Sequence, residues 1–213
     1  MQIIEDRLAQ IEAISLKSGG HRKNAELDAC VMEAVAYVAG EPWSDAPECA
    51  CPVITAFMIA WNDGLPSDAD RDRLLKPLIP LIVGTRSTKE VEQRRATMAA
   101  DWLIRVHTPA WLRAAKLEKQ AGLLESLPEI TDFAQCPSLM PALEAVRTDA
   151  AAAMAAAMAA AGAGAVARAA AGAAAWDAAW DAAGAAAKDA LKPTTEHLQA
   201  NAVELVRKMI DQG

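Results

Sequence analysis

One short segment of the chain combines several groups that can bind an anion. Residues 84–89, Gly-Thr-Arg-Ser-Thr-Lys, offer two cations and three hydroxyl groups just before a predicted helix. The first backbone N–H groups of a helix have no partner within it, so phosphate and carboxylate groups bind there. The residue types and their spacing therefore make Arg86, Ser87, Thr88 and Lys89 a candidate anion-binding site.

The same segment also has a simpler interpretation. Ser87 and Glu90 have the spacing of a capping box, in which the hydroxyl and the carboxylate each bind an unpaired backbone N–H. A capped helix with solvated basic side chains needs no ligand. The segment is not a P-loop, because it lacks the second glycine and the Gly-Lys-Ser/Thr ending. Arg94 and Arg95, one to two turns further along, favour the anion-binding alternative.

Charge is distributed unevenly along this chain of net charge −7. Residues 71–120 contain 11 Lys and Arg against 5 Asp and Glu, whereas residues 1–70 contain 4 against 12 and residues 121–213 contain 6 against 11. Either the acidic flanks neutralise the basic segment in the folded chain, or the segment attracts an anionic partner. A nucleic acid or a nucleotide is therefore a candidate partner of residues 71–120.

The sequence argues against an enzyme and against a resident cofactor. Cys49 and Cys51 are a weak candidate metal site, since zinc sites usually have a two-residue gap and a second cysteine pair. Free cysteine is more often buried as a small apolar residue. No serine nucleophile elbow and no paired Glu-x-x-His motif occurs. We therefore expect no catalytic residue, no cofactor and no bound metal.

Apolar residues recur at helical spacing along nearly all of the chain, which predicts an all-α fold. We expect an N-terminal multi-helix bundle over residues 1–130. Within it, a polar, turn-rich loop at residues 41–51 separates two apolar helices. Residues 131–213 form the second predicted region, an alanine-rich helical hairpin followed by an amphipathic C-terminal helix, packed on the first region or on a partner.

The alanine-rich region gives the clearest boundaries. Alanine supplies 26 of the 40 residues from 151 to 190, and alanine is the best helix former, whereas glycine and proline are the poorest. We therefore expect the hairpin to reverse near Gly162 and Gly164, and its second helix to stop before Pro193. The last predicted helix follows that proline.

Three tryptophans are candidate contacts for a protein partner. Trp176 and Trp180 lie four residues apart and so form a stripe along one side of a helix. They either cover the N-terminal bundle or anchor a partner, because tryptophan buries a large area and carries one polar N–H. Trp43, in the 41–51 loop, is the third candidate.

Membrane insertion and secretion are both disfavoured. Residues 150–167 are uncharged, but alanine and glycine gain little from transfer to lipid, so we expect no membrane span. The first residues are acidic where a signal peptide requires basic ones. Four irregularly spaced cysteines do not form a disulfide framework in a chain of this length. We therefore expect a cytoplasmic protein.

Four segments resemble a signature of helical proteins encoded in bacterial and bacteriophage genomes. They are Cys30–Pro47 (CVMEAVAYVAGEPWSDAP), Trp61–Leu65 (WNDGL), Gly84–Thr88 (GTRST) and Asp101–Arg105 (DWLIR). The resemblance covers about residues 20–127. It implies an accessory protein of bacteria or their phages, and it assigns no activity and no functional residue.

Two functional hypotheses follow. The leading one is a non-enzymatic binding protein that acts on a macromolecular partner, most simply another protein or a second copy of itself. The alternative is a protein that binds a small ligand such as a nucleotide or phosphate, or an enzyme, using the 41–51 loop together with the basic turn at residues 84–89.

Overall fold

The fold is all-α, as the sequence predicts. A computed structural model describes residues 3–13, 15–22, 28–169 and 173–213, with side chains described in all of them except 159–169 and 173–186. Helices account for 73% of the structure, and these residues contain no strand. No helix among them is both long enough and apolar enough to cross a membrane.

The chain divides into two compact units. The first contains Met1–Ala99 together with Ala202–Gly213, and the second contains Ala100–Asn201. Residue 130, where the sequence predicts a domain boundary, lies within the second unit. The first unit is discontinuous in sequence, because the end of the last helix packs with the N-terminal helices. Local sequence patterns do not predict this contact between the two ends of the chain.

Five short helices and part of a sixth build the first unit. They are α1 (Glu5–Glu12), α2 (Val31–Ala39), α3 (Pro52–Gly64), α4 (Asp68–Leu75), α5 (Ile79–Ile82) and the first part of α6 (Lys89–Trp102). A 3₁₀ turn, Lys76–Leu78, joins α4 to α5. The central helix is α2, which contacts α1, α3 and α5 and buries eight of its nine residues, among them Glu33 in its first turn.

Buried polar side chains connect the helices of this unit. Asn62 is fully buried, accepts a hydrogen bond from Val31 N (3.2 Å) and donates one to Lys17 O (2.9 Å). The guanidinium of Arg71 donates to the backbone carbonyls of Asn62 and Leu65 at 2.8 and 2.6 Å. Each bond satisfies a backbone group at a helix end or in a loop that would otherwise be buried without a partner.

The second unit has its own small core. It contains α7 (Thr108–Ala114), α8 (Glu118–Glu125), α9 (Cys136–Ala169) and most of α10 (Ala173–Ile210). The core joins α7, α8 and α9 through four buried side chains, namely Leu112, Ala121, Leu124 and Val146. Leu143 and Leu117 pack against its edge.

A π-helical turn, Leu103–His107, joins α6 to α7. The backbone N–H of Thr108 bonds to Leu103 O, five residues earlier, which is the spacing of a π-helix, and the Thr108 hydroxyl donates to the same oxygen at 2.7 Å. Pro109 comes next and has no N–H, so Arg105 O receives no α-helical hydrogen bond from that position.

Two expectations for the alanine-rich region are wrong. Helix α9 continues through Gly162 and Gly164 to Ala169, so the chain does not reverse there. Each glycine costs about 1 kcal/mol relative to alanine, and the many surrounding alanines offset this. Helix α10 likewise passes through Pro193. Buried apolar side chains beyond the proline, among them Leu205 and Met209, offset its cost.

Candidate functional site

The Gly84 turn is held against the 41–51 loop by backbone hydrogen bonds. Gly84 has φ = 82°, a left-handed conformation that favours glycine. Next to it, the buried hydroxyl of Thr85 donates to Ile82 O (2.8 Å) and accepts from Cys51 N (3.0 Å). Arg86 N donates to Cys49 O at 2.9 Å. The loop and the turn that the sequence offered as joint parts of a ligand site are therefore in direct contact.

The 41–51 loop is itself ordered by its own side chains. The carboxylate of Glu41 accepts hydrogen bonds from Glu48 N (2.7 Å) and Cys49 N (2.8 Å). The indole N–H of Trp43 donates to His21 O at 2.8 Å, and the ring lies against Tyr37. Trp43 is thus engaged within the chain, where it closes the loop over the end of α2.

The cysteines show no arrangement suited to metal binding. Cys30, Cys49 and Cys51 are buried free thiols. Burial raises the pKa of Cys30 to about 12, and burial also raises the pKa of Cys49. Within the part of the chain that the structure describes, no three His, Cys, Asp or Glu side chains are grouped so that they could hold a metal ion.

The N-cap of α6 is Thr88 rather than Ser87. The helix begins at Lys89, and the Thr88 hydroxyl accepts a hydrogen bond from Val91 N at 3.4 Å. Glu90 interacts with the same hydroxyl and with its own backbone N–H, and these hydrogen bonds lower its carboxyl pKa. The cap is shifted by one residue from the predicted Ser87–Glu90 box, so the Ser87 side chain has no capping role.

Arg95 is the unexpected residue of this region. Its side chain is 1% exposed, and its guanidinium donates to Met209 O and Thr85 O, both at 2.6 Å, and to Ile210 O at 3.5 Å. These bonds use three of its five N–H donors. Among the described residues, no carboxylate forms an ion pair with Arg95. The cost of removing this cation from water is therefore offset only by its hydrogen bonds to carbonyl oxygens.

Arg95 lines a cavity of about 250 Å³, here named the Arg95 pocket. It lies between the Gly84 turn and the end of α10, and its lining residues are Leu81, Val83, Gly84, Thr85, Arg86, Ser87, Arg95, Ile210 and Gly213. Gly213 fits closely, because a Cβ there would come within 2.8 Å of Arg95 Nη2. Arg86, which is exposed, is a second arginine in the lining.

The structure separates the four candidate anion-binding residues. Arg86 and Ser87 line the Arg95 pocket, whereas Thr88 and Lys89 are exposed and lie outside its lining. Arg86 Nε is 3.3 Å from Glu92 Oε1, an ion pair in which the Arg86 side chain is 56% exposed. The Arg86 side chain is mostly exposed although its partner Glu92 is largely covered, so Arg86 can also contact a ligand.

Sequence patterns gave only a weak signal for the residue that completes this site. The sequence shows Arg94 and Arg95 as neighbouring cations. In α6, however, Arg94 is exposed to solvent and Arg95 is buried. A helix prediction based on the spacing of apolar residues places every arginine at the surface. Its burial depends on carbonyl oxygens at the end of α10, more than 110 residues away in the chain.

The other candidate interaction residues cannot be placed in a site. The side chains of Trp176 and Trp180 lie outside the described residues.

In the second unit, a separate aromatic cluster surrounds His107, whose ring centroid is 5.1 Å from Trp102 and 6.3 Å from Trp111. The Trp111 indole donates to His107 Nε2 at 3.1 Å, and burial lowers the pKa of His107.

Comparisons with protein-family models, with curated proteins and with solved structures find no match to this chain. Function is therefore inferred from the chain's own residues. Of the signature segments that the sequence presents, Cys30–Pro47 supplies buried Glu33 as well as Glu41 and Trp43, and each of these side chains bonds to backbone groups. Their observed role is to shape the first unit and its loop.

Proposed function

We propose that the chain is a binding protein for a small oxyanion, a phosphate or a small phosphate monoester, held in the Arg95 pocket. The observation that carries the proposal is the buried Arg95, which lines a cavity and whose guanidinium has no carboxylate partner among the described residues. Withdrawing a cation from water costs several kcal/mol unless it is well compensated. An anion in the pocket supplies that compensation.

The remaining lining suits the same ligand. Arg86 offers a second guanidinium and Ser87 a hydroxyl, and guanidinium groups bind phosphate through short, charge-assisted hydrogen bonds. Cavities that enclose drug-sized ligands measure about 300–1,000 Å³, so a cavity of about 250 Å³ favours a compact group. A whole nucleotide fits less well than a single phosphate or a small phosphate ester.

Equilibrium binding of inorganic phosphate at low salt tests the proposal. Wild type should bind saturably, and Arg86→Ala should weaken binding about 10- to 100-fold, because a hydrogen bond to a charged group contributes about 1.5–3 kcal/mol. Glu92→Gln should tighten binding, since it removes the carboxylate that pairs with Arg86. Arg147→Ala is the matched control, because Arg147 is also exposed and ion-paired but lies in the second unit. Equal losses in Arg86→Ala and Arg147→Ala would contradict a specific site.

A macromolecular partner is the second candidate function. It is favoured by α9, where residues 151–158 contain only alanine and methionine and are almost all exposed, with Met154 and Met158 each 66% exposed. A helix that is apolar on all sides is normally covered. We propose a second copy of this chain as the partner. Sedimentation should show a dimer that Met154→Glu disrupts, and a wild-type monomer at high concentration would contradict this candidate.

The cellular context is also a proposal. The four cysteines are free, which suits a reducing compartment such as the bacterial cytoplasm. The resemblance in the four signature segments supports an accessory role in bacteria or their phages. Phosphate compounds are abundant small anions in that compartment, so it suits the proposed ligand as well.

A further inference from the structure

The Arg95 pocket depends on the end of α10 and the residues that follow it. Two of its lining residues are Ile210, the last residue of α10, and Gly213, three residues beyond it. Arg95 bonds to the carbonyls of Met209 and Ile210, so this pocket-lining cation is also a polar link between α6 and the end of α10. Without the last turn, the pocket loses one wall and Arg95 loses two acceptors.

The rest of the contact is apolar. Residues 202–213, here named the C-terminal segment, belong to the first compact unit although the preceding part of α10 belongs to the second. The C-terminal segment buries four side chains, Ala202, Leu205, Val206 and Met209. Docking of this segment on the first unit and formation of the pocket wall are therefore one structural event.

We propose that oxyanion binding in the Arg95 pocket stabilises the docked C-terminal segment, so that ligand occupancy and docking are thermodynamically coupled. This inference rests on the proposed function. Its sign follows from linkage: a ligand that binds only where the wall is present stabilises the state that has the wall. The factor is one plus the ratio of ligand concentration to Kd, about 11 at ten times Kd.

Hydrogen exchange of the intact protein tests this coupling, with inorganic phosphate as the probe. The Kd is first measured by calorimetry, and exchange is then followed without phosphate and at ten times that Kd. Amides of residues 205–210 that exchange through undocking should slow about 10-fold. Amides of α8, in the other unit, are the internal control and should not change by this mechanism.

A destabilised variant keeps the test informative if undocking in wild type is too rare to observe. Met209→Ala removes a fully buried side chain from the docked segment without removing a pocket-lining residue. Its segment should exchange faster than in wild type, and phosphate should slow that exchange. Met58→Ala makes the same substitution at a fully buried site in α3 and should not speed exchange of the segment more than exchange of α3.

The outcomes separate the two proposals. If calorimetry detects phosphate binding but exchange of the C-terminal segment does not slow in either wild type or Met209→Ala, the coupling is wrong and the proposed function stands. If the segment and α8 slow by the same factor, the coupling to docking is also contradicted. If phosphate does not bind, both proposals fail.

Discussion

At the scale of single residues, buried polar side chains determine how the first unit is joined. Asn62, Arg71 and Arg95 are each less than one-tenth exposed, and each bonds mainly to backbone groups of other segments. Apolar burial drives these helices together without specifying which loop meets which helix end. The polar side chains add that specificity, since an unpaired buried backbone group is costly.

Asn62→Ala tests this role. The substitution leaves Val31 N and Lys17 O without their partner, and each unsatisfied buried group costs about 1–3 kcal/mol. The free energy of unfolding, measured by urea denaturation, should therefore fall by about 2–4 kcal/mol. Asn201→Ala, which removes a half-buried amide that bonds to His197 within α10, should change it by less than about 1 kcal/mol. Similar effects at both positions would refute the account.

The position of the α6 cap provides a second test. Thr88→Ala should lower the free energy of unfolding by about 1 kcal/mol, because its hydroxyl caps Val91 N, whereas Ser87→Ala should change it by less than about 0.5 kcal/mol. Urea denaturation of the two variants side by side provides the measurement. A larger loss for Ser87→Ala would restore the capping box that the sequence predicts.

The pH dependence of stability should report on His107. Because burial lowers its pKa below about 6.5, the unfolded chain binds a proton first as the pH falls. The contribution of neutral His107 is therefore complete above the unfolded pKa and is lost as the pH falls from there through the folded pKa. Between pH 7.5 and 5.5, wild type should lose more stability than His107→Gln. A loss of stability in His107→Gln equal to that of wild type would contradict a half-buried His107 that is neutral in the folded chain.

At the scale of elements, the sequence predicts helices more reliably than it predicts where they end. The helices predicted from apolar periodicity are confirmed, and α2 ends at Gly40, which is left-handed at φ = 81°. The helices do not end at Gly162, Gly164 or Pro193, where the sequence predicts that they do. The free-energy cost of one helix-breaking residue is offset by the rest of the helix, including side chains that are buried far along the chain. Arg95 and the pocket were beyond local patterns, since their contacts join residues distant in sequence.

Replacing the proline inside α10 tests that interpretation. Pro193→Ala restores an N–H donor and removes a steric clash, and should raise the free energy of unfolding by about 1–2 kcal/mol after the greater flexibility of the unfolded chain is subtracted. Pro52, at the first position of α3, has no such conflict, so Pro52→Ala should be neutral or slightly destabilising. Thermal unfolding of both variants is the measurement. If Pro193→Ala lowers the stability, the proline stabilises the helix at this position and the interpretation is wrong.

At the scale of the whole molecule, the first unit is completed by a segment from the other end of the chain. The C-terminal segment supplies apolar burial, two carbonyl acceptors for Arg95 and one wall of the pocket. The loop at residues 41–51 positions the opposite wall through Cys49 and Cys51. Three distant parts of the sequence thus converge on one buried cation.

The most direct test follows the Arg95 side chain and the amides of residues 84–87 by NMR during a low-salt titration with inorganic phosphate. The account predicts saturable shifts of these resonances with a single Kd, larger than any shift of the exposed Arg147. Small, unsaturated shifts spread over exposed basic residues, with the Arg95 resonances unmoved, would show only nonspecific ion association and would contradict oxyanion binding in the Arg95 pocket.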